Sequence, residues 1–255
     1  MEKELTREEK IKLVKQDITK THIMKMFEEL VNELPEISED DITSGDYVDL
    51  GLPSGLKWAT CNVGATKPCE YGLLYQFGRV DGYAYGDKNN QFRTTTQNKA
   101  DTGSMLTPKT TSGKTYGIGE VLDPADDAAY VASNGDMRTP TYNEYQELLD
   151  NTTNEWVSCS VMGGDHTSHN VMGILFTSKT DSSKKLFLPA AGCFGLLNGT
   201  KGSFINSGSL GEYWSSSAHD SYNGCGWNFI FNQGECYFHN GYMCYGNSVR
   251  GVRNN

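Results

Sequence analysis

The chain has 255 residues, 37% of them hydrophobic, and a formal net charge of -10 at pH 7. This length suits one large domain, or one domain with a small appendage, with a hydrophobic core of its own. The acidic balance argues against a nucleic-acid partner, because phosphate contacts require clustered Lys and Arg, and no apolar run approaches the roughly 18 residues of a membrane-spanning helix.

Residues 6–34 are predicted to be helical. Thr6 and Glu9 form a capping-box pattern, and Pro35 ends the segment. Apolar residues follow helical spacing in two sets whose phase slips near 19–22, which predicts a bend or two helices rather than one coiled coil. These residues are Ile11, Val14, Ile18, Ile23, Phe27, Leu30 and Leu34. The segment either packs on its own domain or serves oligomerisation or docking.

Residues 36–45 are acidic and polar and predict a linker, so we expect the domain boundary between 45 and 46. After it, short apolar segments alternate with clusters of Gly, Asn, Ser and Thr. The predicted strands are Tyr47–Leu50, Leu56–Val63, Val171–Thr177, Lys185–Leu188 and Trp227–Phe231. The stretch 86–119 is polar and without periodicity, which predicts a long loop.

One helix interrupts this strand-rich region. Thr141 and Glu144 form a second capping box directly after Pro140. Tyr142, Tyr145, Leu148 and Leu149 then form an apolar helical stripe. Few helices, many short strands and long Gly-rich connections predict an α+β domain with irregular loops.

The C-terminal region has the composition of a binding surface. Trp227, Phe229 and Phe231 alternate with Asn228 and Ile230, which predicts a half-buried strand with its aromatic side chains inside. Tyr, Asn, Ser and Gly dominate around it, a mixture typical of antibody-like surfaces; an ordinary Tyr-rich β-surface is the alternative. The candidate ligand-binding residues are His219, Tyr222, Asn223, Cys225, Gly226, Asn228, Ile230, Tyr237, Phe238, His239, Asn240, Tyr242, Cys244 and Asn247.

Five ordered segments carry a resemblance to a known family. They are Asp49–Gly64, Met137–Leu149, Leu188–Gly192, Tyr213–Ser217 and Ser248–Arg253. Together they resemble a large family common in gut Bacteroidetes and their phages, whose fold is similar to the formylglycine-generating-enzyme type of C-type lectin. The resemblance covers about 46–253, so it implies a C-type-lectin-like domain at 46–255 preceded by an N-terminal helical segment and linker at 1–45.

Many members of that family are variable proteins of diversity-generating retroelements, in which a reverse transcriptase mutates template adenines and rewrites the end of the gene. Asn codons of the AAC kind then become most amino acids, but never Lys, Glu, Gln, Met or Trp. The resemblance therefore implies a variable region at about 213–253 that binds a ligand through solvent-facing positions. Trp227, Gln233, Glu235 and Met243 would belong to the fixed scaffold.

The same resemblance implies roles for individual aromatic residues. Trp214, Trp227, Phe229 and Phe231 would form the packed scaffold. Tyr222, Tyr237, Phe238 and Tyr242 would be the main anchors for the ligand. Tyr213–Ser215, Gly234 and Ser248–Arg250 would also be invariant.

Enzyme chemistry is not expected, and no catalytic residue or cofactor is assigned. Cys225, Cys236 and Cys244 do not match the reactive cysteine pair of the enzymes that share the fold, and Ser215–Ser217 does not fit a nucleophile elbow. A non-variable adhesin or glycan-binding module of the same fold remains the main alternative.

Metal binding is a minor alternative. The seven cysteines include no CxxC pair, so we expect free thiols rather than a disulfide scaffold or zinc ribbon. His166, His169, His219 and His239 match no zinc module either. Asp123, Asp126 and Asp127 are the only candidates for a calcium ion, although they form no EF-type loop.

The expected partner is a cell-surface protein or glycan whose identity varies. The charged segment Met1–Lys10 lacks the apolar core of a signal peptide, which favours a phage tail or virion component over a lipoprotein, with an extracellular or cell-surface location as the wider expectation. Phage relatives with this fold form trimers, and the N-terminal helix could support a homotrimer here.

Overall fold

A computed structural model describes residues 34–162, 168–197 and 201–254. From Glu36 onward they belong to one compact unit. The helix predicted for 6–34 lies outside the described residues except for Leu34, and His166 also lies outside them.

Three α-helices and fifteen strands make up the described residues. The helices are α1 (Thr95–Thr102), α2 (Ala128–Ala132) and α3 (Tyr142–Asn151), and Glu39–Asp41 and Pro124–Asp126 form 3-10 turns. The strands are β1 (Glu36–Ser38), β2 (Tyr47–Asp49), β3 (Lys57–Asn62), β4 (Leu73–Gln76), β5 (Tyr83–Ala84), β6 (Thr152–Met162), β7 (Ser168–Ser178), β8 (Lys185–Pro189), β9 (Cys193–Leu197), β10 (Lys201–Ile205), β11 (Gly211–Ala218), β12 (Cys225–Phe231), β13 (Cys236–Tyr242), β14 (Gly246–Ser248) and β15 (Arg250–Arg253). The α+β prediction is confirmed.

The strands form three sheets. One has the order β1-β6-β7-β8, and a small one has the order β15-β3-β2. The largest has the order β10-β9-β14-β11-β12-β13, with β4 and β5 joined to it through β14. β14 and β15 are adjacent in sequence but lie in different sheets, so the end of the chain ties two sheets together.

The five predicted strands are confirmed, with shifts of a few residues at their ends. The second predicted helix is confirmed as α3, and its capping box is present: the backbone N–H of Thr141 donates to Glu144 Oε2 at 2.7 Å. Apolar periodicity was informative here because each element buries one face.

Residues 86–119 are not entirely loop, because they contain α1. That helix has its own capping box between Thr94 and Gln97. The stretch is also anchored to the rest of the unit, since Ser112 and Tyr116 both donate to the buried carboxylate of Asp126. Its polar composition lacked an apolar stripe, so periodicity did not indicate the helix.

Residues 36–45 are not a free linker. β1 pairs in parallel with β6, and the backbone N–H of Thr43 donates to the carbonyl of Lys185 at 3.3 Å. Ile42 is buried against the apolar face of β6 and β7. The composition of this segment predicted a linker because only two of its residues, Ile37 and Ile42, are apolar and pack on the domain.

The prediction of free thiols throughout is wrong for two cysteines. Cys69 and Cys159 form a disulfide that joins the segment after β3 to β6, and both residues are fully buried. They are separated by 90 residues in sequence, so no local spacing marks the pair. Among the described residues Cys61, Cys193, Cys225, Cys236 and Cys244 are free.

Arg250 is the polar centre of the scaffold and is completely buried. Its guanidinium donates to Asn62 Oδ1 at 2.9 Å and to the carbonyls of Ala59 at 3.0 Å and Phe187 at 2.9 Å. These acceptors lie on β3 and β8, so one side chain joins two sheets. A buried charge is tolerated only with such complete hydrogen bonding.

Candidate ligand-binding surface

The hairpin of β12 and β13 contains most of the predicted ligand-binding residues. Its register pairs Phe229 with Phe238 and Asn228 with His239. Directly opposed residues of an antiparallel pair point to the same face, so the hairpin has two sides of different composition. We call them the helix side, which includes Phe229, and the cavity side, which includes Asn228.

The helix side packs on α3. Phe229 is fully buried and its ring stacks on Tyr145 at 5.1 Å between centroids. Trp227 lies 4.7 Å from Tyr142, and Phe231 is fully buried beside Tyr213. Of the aromatic residues expected to form the scaffold, Trp227 and Phe229 hold the hairpin against the helix, while Phe231 packs on Tyr213 of β11.

Phe238 also lies on the helix side and is not a free anchor. Its ring is 4.5 Å from Tyr142 and 5.5 Å from Phe229. It is half-buried, and it extends the aromatic cluster over α3. The prediction that Phe238 presents its ring to a ligand conflicts with this packing, since the residue has the same role as its neighbour Phe229.

His219 and Tyr222 lie at the end of the helix side. His219 is buried, its ring centroid is 4.0 Å from that of Trp227, and its Nδ1 accepts the backbone N–H of Ser221. Burial lowers the pKa of His219, which keeps the imidazole neutral near pH 7. Tyr222 is 58% exposed. The turn that includes Tyr222 and the exposed Asn223 is thus held by a structural histidine.

The cavity side borders a cavity of about 450 Å³ that opens to solvent. Of the predicted residues, Asn228, Ile230, Tyr237 and His239 line it from this side. Asn240 and Tyr242 also line it, although the register pairs them with Trp227 and Cys225 on the helix side. The remaining lining residues are Leu210, Glu212, Gly241 and Tyr245. This volume is in the range of small-ligand sites in proteins.

Glu212 is a buried acid in this cavity that the sequence did not single out. It is paired with Ile230 in the β11–β12 register, and its Oε2 accepts the side-chain N–H of Asn228 at 3.3 Å. Burial raises the pKa of Glu212, while the Cys193 thiol, His239 and Asn228 lower it in part. The only hint in the sequence is spacing: Glu212 lies two residues before Trp214, so their side chains point to the same face of β11.

Seven predicted ligand-binding residues are buried, namely His219, Cys225, Gly226, Asn228, Ile230, Cys244 and Asn247, and four of these line neither the cavity nor the exposed turn. Cys225, Cys244 and Asn247 are each at most 3% exposed. A Cβ on Gly226 would lie 2.8 Å from the ring of Phe77 and 3.2 Å from that of Trp214, so this position requires glycine for close packing. The expectation that all the listed positions face solvent is therefore wrong: composition marked the region correctly as Tyr-, Asn- and Gly-rich, but not which side chains point outward.

The calcium candidates are engaged by protein donors. Asp126 accepts three hydrogen bonds from Ser112 and Tyr116, and Asp127 caps α2 and accepts from the backbone and hydroxyl of Thr139. Asp123 pairs with Lys114 at 3.0 Å. Within 34–162, 168–197 and 201–254, no three His, Cys, Asp or Glu side chains gather as a metal site.

Comparison with known proteins gives no match to a family model, to a curated protein or to a solved structure. In the described part of the chain, no helix has the length and apolar character needed to cross a membrane.

Proposed function

We propose that this protein binds a ligand on a cell surface through the cavity beside the β12–β13 hairpin, displayed on a C-type-lectin-like scaffold and diversified by a retroelement. The observation that carries the proposal is that six predicted residues on two strands line one solvent-open cavity. The binding set is Asn228, Ile230, Tyr237, His239, Asn240 and Tyr242, with the exposed Tyr222 and Asn223 in the turn before β12.

The packing of the hairpin supports a division between frame and surface. Trp214 is 2% exposed and donates from Nε1 to the carbonyl of Tyr75 at 2.8 Å, so it anchors β11 beneath the cavity. Phe229 and Phe231 anchor β12 from the opposite side. Substitution of exposed side chains such as His239 and Tyr242 over such a frame usually changes stability by less than about 0.5 kcal/mol, whereas Asn228 and Ile230 are buried. Different surfaces are therefore compatible with one fold.

The buried disulfide supports a location outside the reducing cytosol. Disulfides persist in secreted, periplasmic and virion proteins and are rare where thiols are kept reduced. Cys69–Cys159 is compatible with the proposed position on a phage tail or a cell surface. The partner would be a surface protein or glycan of a bacterial cell.

Binding of the purified protein to a panel of intact gut bacteria tests this proposal. We expect a subset of strains to bind, and we expect Tyr242→Ala together with Tyr237→Ala to weaken that binding by about 30-fold or more, the loss typical of interface anchors. The matched control is Tyr130→Ala, which removes an exposed tyrosine from α2. Equal binding by all three proteins would overturn the proposed surface.

A non-variable adhesin of the same fold is the second candidate. It is favoured by the burial of Cys225, Cys244 and Asn247. Adenine mutagenesis would also change these positions, but the packing around them restricts which residues the fold accepts. The DNA beside the gene distinguishes the two: a reverse-transcriptase gene and a near-identical template repeat support diversification. Copies from one population that differ no more at the cavity residues than elsewhere contradict it.

A further inference from the structure

The floor of the cavity contains an acid that has no ion-pair partner among the described residues. Glu212 is 9% exposed, and among the ion pairs of the described residues none involves its carboxylate. Its contacts are the amide of Asn228 and the thiol of Cys193. A carboxylate held in this way is stabilised by any positive charge that enters the cavity.

The neighbouring amide has an unused acceptor. Asn228 is 1% exposed, and its Oδ1 accepts no hydrogen bond, although Nδ2 donates to Glu212. Asn228 lines the same cavity as Glu212. A buried carbonyl oxygen without a donor costs about 1–3 kcal/mol, so a ligand N–H that reached Oδ1 would be stabilised.

Three tyrosines line the same cavity as these two acceptors. They are Tyr237, Tyr242 and Tyr245. Burial raises the pKa of Tyr237, and the negative charges of Glu235 and Glu212 raise it further, which places this phenol in the field of the Glu212 carboxylate. Tyrosine rings attract cations through the negative charge on their faces.

We propose that this cavity recognises an organic cation, an ammonium or guanidinium group, with the Glu212 carboxylate as its counter-ion and the tyrosines as its walls. The inference rests on the proposed binding surface and names the ligand class of that site. An anionic ligand is disfavoured by the buried carboxylate and by the acidic chain, whose net charge is -10. A neutral ligand would leave the carboxylate uncompensated.

The cation can come from a basic side chain of a protein or from a quaternary ammonium headgroup. Titrations with n-butylguanidinium, n-butylammonium and choline distinguish these sources, and n-butanol and butyrate are the neutral and anionic controls. Binding is followed by NMR through the side-chain amide of Asn228 and the backbone amide of Gly241, which both line the cavity. We expect saturable shifts with at least one cation, and tenfold weaker binding of both controls.

Glu212→Gln removes the charge and keeps the shape. We expect it to weaken cation binding at least tenfold, while Glu235→Gln, at an exposed position in the same hairpin, leaves the dissociation constant within twofold. Unchanged binding by Glu212→Gln, or equal binding of butanol and butylammonium to the unmodified protein, overturns the inference. The second comparison holds even if the variant folds poorly.

The outcome is separable from that of the proposed function. Failure of every cation, together with strain binding that depends on Tyr237 and Tyr242, refutes the cation inference alone. Cation binding with no dependence of strain binding on these tyrosines refutes the proposed surface instead.

Discussion

The two sides of β12 differ in what their side chains do, although they alternate along seven residues of one strand. On the helix side, Phe229 and Phe231 are fully buried against other aromatic rings. On the cavity side, Asn228 and Ile230 form the base of an open cavity with Glu212 beside them. The comparison shows that a protein can combine a fixed frame and a binding surface in one strand, because successive side chains point to opposite faces.

The largest effect is expected on the helix side. Phe229→Ala should lower the free energy of unfolding by about 3–5 kcal/mol, because it removes a buried ring and leaves a cavity between α3 and the hairpin. Urea unfolding measures the change. Tyr237→Ala on the cavity side is the control and should cost less than half as much, since Tyr237 is only half-buried. Equal losses would mean that the two sides do not differ in the way described.

The next effect is expected from the disulfide, whose cysteines lie far in sequence from both sides of β12. The Cys69→Ala/Cys159→Ala double variant should lower stability by about 4 kcal/mol, because the disulfide closes a long loop in the unfolded chain. Cys61→Ala, which removes a free, half-buried thiol, should cost much less. Thermal unfolding with and without reductant is the measurement. A melting temperature that does not respond to reductant would contradict the role of this bond.

The buried acid on the cavity side should make stability depend on pH. Burial raises the pKa of Glu212 above its ordinary 4.5, so the folded state binds the proton more tightly than the unfolded state. Stability should therefore fall as pH rises from about 4.5 through the folded-state pKa, by at most about 1.4 kcal/mol per pH unit for one proton. Below 4.5 both states are protonated and the effect disappears.

This dependence is read as the difference between the unmodified protein and Glu212→Gln over pH 4 to 8. The groups facing Glu212 are Cys193 on β9, Asn228 on β12, His239 and Tyr237 on β13, and Tyr245 after it. His239 is exposed and faces Glu212, so His239→Gln is measured in parallel. A difference between Glu212→Gln and the parent that is constant with pH would show that the carboxylate is not perturbed.

The smallest effect is expected at the exposed end of the hairpin. Tyr222→Ala should change the unfolding free energy by less than about 0.5 kcal/mol, because the ring is 58% exposed. His219→Ala, on the same turn, should cost more, since the imidazole accepts the backbone N–H groups of Ser221 and Tyr222. Chemical denaturation of the two variants tests the contrast, and a large loss for Tyr222→Ala would count against interchangeable surface positions.

Amino-acid pattern alone determined much of this molecule. Alternation located β12 and its buried aromatic face, and the capping box with its apolar stripe located α3, because each element buries one face and its period appears in the sequence. The excess of Tyr, Asn and Gly indicated the surface region, because the amino-acid composition of a segment depends on its local environment.

Only the tertiary structure decided which of those residues share a site. Long-range pairing placed Glu212 of β11 beside Asn228 of β12, buried Cys225, Cys244 and Asn247, and joined Cys69 to Cys159 across 90 residues. Arg250 likewise found its acceptors on β3 and β8. These relationships depend on strand order and register, which join residues far apart in the chain and leave no periodic trace along it.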